Sequence, residues 1–125
     1  MHKNICEAKN ERDKRGFYMV EKRIIKKVNA FVKELKKQKI KVVKVIIYGS
    51  RVSGKAHEYS DIDVAIISPD FGKDRYEEGV RLFQIASKID PLIEPVPISV
   101  DSYKNDTWVP LIYEIRTKGI ELKAA

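Results

Sequence analysis

Between residues 18 and 38 the apolar side chains of Ile24, Ile25, Val28, Phe31, Val32 and Leu35 recur every three or four positions, with lysines filling the remaining ones. This period places one apolar stripe along a helix and predicts a surface helix with a single buried face. The period then shortens. KVVKVIIYG, 41 to 49, is β-branched and ends in glycine, which predicts a largely buried strand followed by a sharp turn. DIDVAIIS, 61 to 68, predicts a second such strand. PDFG, 69 to 72, is a turn, and Leu82, Ile85, Ala86 and Ile89 mark the apolar side of a helix from 74 to 89. Gly79 weakens the front of that helix by roughly 1 kcal/mol against Ala.

LIEPVPIS, 92 to 99, predicts a third strand with a constraint. Pro95 and Pro97 both lack an N–H donor, and their spacing turns the two missing donors to the same side. Only an edge strand with that side unpaired accommodates them. WVPLIYEIRTK, 108 to 118, predicts a last helix with Asp106 or Thr107 as cap, Pro110 in the first turn and Gly119 as its stop. Trp108 is expected as a core or interface anchor. The order helix, strand, strand, helix, strand, helix predicts an α/β (α+β) fold, a small mixed β-sheet flanked by helices. Residues 1 to 17 carry many charges and no period, and are expected to be an arm ahead of a domain over 18 to 125.

Composition narrows the function classes. At 125 residues and 43% apolar the chain suits one core. No apolar run reaches the ~20 residues of a membrane span, and the charged start has no apolar stretch suited to a signal peptide. A soluble, cytoplasmic protein with no membrane association is expected. Cys6 stands alone, so neither an internal disulfide nor a cysteine-rich zinc site is available. A formal charge of +7 favours anionic partners such as nucleotides or nucleic acid. Much of it lies in KRIIKK (22 to 27) and KELKKQKIK (33 to 41), runs that read first as solvated helix faces.

The chemistry concentrates in GSRVSGKAHEYSDIDVAII, 49 to 67. Gly49 permits a sharp turn after a buried strand, where successive N–H groups and the Ser50 hydroxyl present donors to an anion. Arg51 adds positive charge beside them, with Lys55 as a second cation, and Gly54 permits close approach of a ligand. Twelve residues after Gly49 come two carboxylates, Asp61 and Asp63. On a strand, i and i+2 project from the same face about 6.6 Å apart. Such a pair suits Mg²⁺, which is held by one or two carboxylates together with substrate phosphates and water. A phosphate cradle and a metal pair on adjacent strand ends are the parts that nucleotidyl transfer needs.

Gly-Ser, ten residues, then Asp-Ile-Asp resembles the signature of the DNA polymerase β-like nucleotidyltransferases. The length and plain architecture resemble their minimal members, among them antitoxins paired with HEPN-domain toxins, and the resemblance runs from about residue 20 to the end. It implies the nucleotidyltransferase fold, Mg²⁺ and a nucleoside triphosphate, ATP first. It also implies a third carboxylate on a following strand, serving as metal ligand and proton acceptor. Glu94 matches that place because it opens the third strand; the family more often has aspartate there, and Asp90 and Asp101 compete. The implied set is Asp61, Asp63 and Glu94 for catalysis and metal, with Gly49, Ser50 and Arg51 for the phosphates.

The implied reaction moves AMP onto a hydroxyl. A chain this short is expected to receive its acceptor from a partner, a HEPN-type toxin, or from another subunit in a homo-oligomer. An aminoglycoside-like small molecule is the second enzymatic reading. The rivals are a binding module that has lost turnover, and an RNA-directed protein whose affinity would fall steeply with salt. Tyr48 before the turn is expected to pack beneath the loop, and His57 to be an exposed loop residue.

Overall fold

The structure is a computed structural model and describes residues 20 to 123. The expected arm over 1 to 17 and the first residues of the expected first helix lie outside the described residues. Five helices and four strands follow among those described: α1 (Lys22–Lys37), β1 (Lys44–Tyr48), α2 (Ser50–Ser53), β2 (Ile62–Ser68), α3 (Arg75–Ile89), β3 (Ile93–Ser99), α4 (Val100–Asn105), α5 (Pro110–Lys118) and β4 (Ile120–Leu122).

The strands form one sheet in the order β3-β2-β1-β4. β1 runs antiparallel to both β2 and β4, whereas β2 and β3 are parallel, joined by the α3 crossover. The sheet is therefore mixed, and β3 lies at an edge as its two prolines require.

The alternation of side chains divides the interior in two. Val45, Ile47, Ile62, Val64, Ile66 and Ile93 face the apolar stripe of α1 and the Leu82, Ile85 and Ala86 side of α3. Ile46, Ala65, Ile67 and Ile98 face the opposite way, against Ile112 and Ile115 of α5. Both faces are covered, which is why β2 reads as a nearly continuous apolar run.

Several expectations need correction. α5 is capped by Val109, with no side-chain hydrogen bond, and Pro110 is its first residue. Asp106 instead closes α4, where it accepts from the Ser102 hydroxyl at 2.8 Å. Trp108 precedes α5 at 80% exposure, so it is not a core anchor, and Ile89 lies outside the buried side of α3. Neither α4 nor β4 was expected, because six and three residues are too short to show a period. None of the described helices is long and apolar enough to cross a membrane.

Candidate active site

Gly49 leaves β1 with φ +78° and ψ −148°, a conformation that is essentially reserved for glycine. The position is also filled sterically. A Cβ built there would collide with Oδ2 of Asp63, so the acid packs directly on the bare Cα of the turn. The first residue of the motif is thus in contact with its last.

Val52 and Ser53 donate their N–H groups to the Gly49 carbonyl at 3.1 Å each, which closes α2 and leaves the N–H groups of Ser50 and Arg51 ahead of the first helical bond. Gly54 ends this short helix in the left-handed conformation. The chain then returns to β2 through a braced loop. The Ser60 hydroxyl accepts from His57 N–H at 2.8 Å, and His57 Nδ1 accepts from Tyr59 N–H at 3.2 Å. Ile62 N–H donates to the Leu92 carbonyl at 2.8 Å, pinning the start of β2 beside β3.

Arg51 is buried, at 8% exposure, and its guanidinium faces the chain. Nη2 donates to the carbonyls of Ser60 at 2.7 Å and Glu58 at 3.3 Å, while Nε is buried without a partner among the described residues. In this geometry the residue holds the loop closed between the two halves of the motif. Lys55 is exposed on the same loop.

Strand register assembles the acids. Tyr48 of β1 lies opposite Asp63 of β2, and Asp63 lies beside Glu94 of β3, so the three form a row on the α5 side of the sheet. Asp61 stands one residue before β2. Burial pushes the Asp63 carboxyl above the usual carboxylate range, and the charges of Asp61, Glu94 and Glu114 push it further. The same surroundings raise the Tyr48 phenol to about 12, first by burial and then through Asp63, Glu114 and Glu94. Tyr48 is accordingly a neutral, half-buried wall of the site.

Two competitors for the third carboxylate are engaged elsewhere. Asp90 pairs with Lys27 Nζ at 2.6 Å and accepts from Leu92 N–H at 2.8 Å. Burial raises its pKa, but the Lys27 and Leu92 bonds and the charges of Lys27 and Arg51 outweigh that and hold it low. Asp101 lies on α4, beyond the far end of β3, and accepts from Asn105 Nδ2 at 2.8 Å. Glu94 is exposed at the site itself.

Among the described residues no cation pairs with Asp61, Asp63, Glu94 or Glu114. Nor does any group of three or more His, Cys, Asp or Glu side chains among them form a ready-made metal cage. Crowded acids that raise one another's pKa without a closed ligand set fit Mg²⁺, because that ion completes its shell with substrate phosphates and water. Asp61 and Asp63, with Glu94 alongside, are the residues that could hold it.

Glu114 is the member that sequence reasoning missed. It belongs to no motif; it reaches the site because β4 pairs with β1, Ile120 opposite Ile47, so α5 must end beside the Gly49 turn. Gly119 permits that approach, since a Cβ there would collide with Ile46 and with the Ile115 carbonyl. The close fit of a glycine after an apolar helix was visible in the sequence only as a stop signal.

The family profile for the nucleotidyltransferase domain matches residues 25–118. The chain belongs to the nucleotidyltransferase family. It is 37% identical over 100 residues to a Haemophilus influenzae protein named "Probable protein adenylyltransferase MntA", across 77% of this chain and 87% of that one. A nucleotidyltransferase-type crystal structure from Sulfolobus solfataricus superposes with a TM-score of 0.55 at 16% identity, covering 79% of this chain and 78% of the other. A toxin-antitoxin crystal structure with AMP-PNP superposes with a TM-score of 0.51 at 24% identity, covering 78% and 73%. These two likenesses establish the nucleotidyltransferase fold that the sequence led us to expect.

Proposed function

We propose that this nucleotidyltransferase moves AMP from ATP, with Mg²⁺, onto a hydroxyl of a partner protein, and that the partner is a HEPN-type toxin. The observation that carries the reading is the carboxylate group around Asp63: three neighbouring acids, no ion pair to any of them among the described residues, and direct contact with the bare Cα of Gly49. The relative named as a protein adenylyltransferase supports AMP and a protein acceptor, and the toxin-antitoxin likeness supports a toxin as that acceptor.

The chain's own residues then divide the work. The Ser50 hydroxyl and the N–H groups at the Gly49 turn bind phosphate oxygens, and Arg51 keeps that turn in shape by holding the loop behind it. Asp61 and Asp63 would hold Mg²⁺, whose charge would neutralise that of the phosphates. The acceptor oxygen bonds to the α-phosphorus, the α–β bridging bond breaks and pyrophosphate departs. Glu94, the exposed end of the row, takes the acceptor's proton.

The test is incubation with ATP labelled in its α-phosphate, Mg²⁺ and the purified toxin partner. Label is expected on the toxin with wild type and lost by at least ~100-fold in Asp61→Ala/Asp63→Ala. Transfer that persists in the double variant refutes the metal assignment. Tight toxin binding without transfer by wild type identifies a binding module instead, and label found only on RNA or on an aminoglycoside overturns the protein acceptor.

A further inference from the structure

A triphosphate brought to this turn meets an acidic surface, and the cation that follows Ser50 in the motif is turned inward. Arg51 is buried against the Glu58 and Ser60 carbonyls. Arg116, on α5, donates to the Tyr103 carbonyl at 2.8 Å and lies over the Tyr103 ring, 5.0 Å from its centroid. Lys44 is paired with Glu121 at 3.3 Å. A polyphosphate carries several negative charges, and at a site crowded with carboxylates it needs a positive group beyond the metal.

Of the other described cations nearby, Arg23 pairs with Glu21 at 3.1 Å and Lys55 is exposed on the loop beyond Gly54, whereas Lys118 shares a cavity with Gly49 itself. Lys118, in the last turn of α5, lines a cavity of about 150 Å³ together with Gly49, Val52, Ser53 and Glu114. Among the described residues its ammonium is in no ion pair, although Glu114 sits four residues earlier at a spacing that commonly pairs on a helix. α5 is held over this spot by the pairing of β4 with β1 and by the tight seat of Gly119. The lysine is therefore presented by a fixed element, with a flexible stem that suits a moving phosphate chain.

We propose that Lys118 is a substrate-binding residue that contacts the β- and γ-phosphates of the nucleoside triphosphate, supplying from α5 the charge that Arg51 does not. The proposal rests on the reading of the site as a nucleotide site. It predicts a ligand-dependent defect, because a residue on the outer phosphates discriminates ATP from AMP and has no contact with the base.

Calorimetric titration of ATP and AMP in Mg²⁺ into wild type, Lys118→Gln and Lys118→Arg tests it. Lys118→Gln is expected to weaken ATP binding roughly tenfold or more while leaving AMP unchanged, and Lys118→Arg to retain most of the ATP affinity. Tripolyphosphate, which has no base, should follow ATP. Equal losses for ATP and AMP, or an unchanged ATP affinity in Lys118→Gln, overturn the assignment of Lys118 while wild-type ATP binding stands. Absence of ATP binding by wild type overturns the nucleotide site and this proposal with it. The side chain is exposed, and an unaltered unfolding temperature in both variants excludes a folding defect.

Discussion

Asp63 is a residue placed where its charge is unwelcome. Burial and three nearby acids disfavour its ionised form, so at neutral pH the folded protein without metal carries a penalty that the unfolded chain does not. The sign follows from the raised folded pKa. Above that value Asp63 is charged and the fold is penalised; as pH falls through it, the carboxyl takes up a proton and the penalty disappears. Asp63→Asn is therefore expected to unfold a few degrees higher than wild type at pH 7 in EDTA, with the difference closing as the acids protonate. A variant less stable than wild type at pH 7 would show that Asp63 has a stabilising partner. The same substitution should abolish transfer, since an amide is a poor ligand for a hard cation. Stability and activity thus oppose each other at one side chain, as expected where a site holds charges for a ligand.

At the scale of elements, α3 contains a position that works against its own helix. Gly79 lies inside Arg75–Ile89, and a Cβ added there meets none of the described residues within 4 Å. Gly79→Ala is expected to stabilise the protein by about 0.5–1 kcal/mol, read as a higher urea midpoint at unchanged slope. A lower midpoint would refute the argument that open space and helix propensity decide this position. Most elements were legible in the sequence because their periods are long and undisturbed. The stripe from Ile24 to Leu35 lies on sixteen helical residues, and the β-branched runs of β1 and β2 are buried on both faces. The prolines of β3 revealed its edge position through a missing donor, which is a local fact with a sheet-wide consequence. β4 was not legible, since Ile120, Glu121 and Leu122 make a strand only by pairing with Val45, Ile46 and Ile47. The cap of α5 was misread because Asp106 has a nearer donor in Ser102.

At the scale of the whole molecule, the site is divided between what lies close in sequence and what topology brings in. Gly49, Ser50, Asp61 and Asp63 share one stretch, so their spacing alone suggests their chemistry. Glu94 required the parallel register of β3, and Glu114 and Lys118 required a sheet order that no spacing encodes. These parts come from three segments of the chain, so a ligand that engages them all must stabilise the fold as a unit. A ligand binding only the folded state adds RT ln(1 + [L]/Kd), about 2.7 kcal/mol at a hundred times its Kd. For a domain of this size that corresponds to a rise of roughly 10 °C in the unfolding temperature. ATP with Mg²⁺ is expected to give a shift of that order in a thermal scan, ATP with EDTA much less, and Asp61→Asn/Asp63→Asn almost none with either. The metal requirement is the informative comparison, because carboxylates that repel one another also repel a bare triphosphate. If ATP in EDTA raised the unfolding temperature as far as ATP with Mg²⁺, cations of the chain would be carrying the phosphates alone, and the acids around Asp63 would need another purpose.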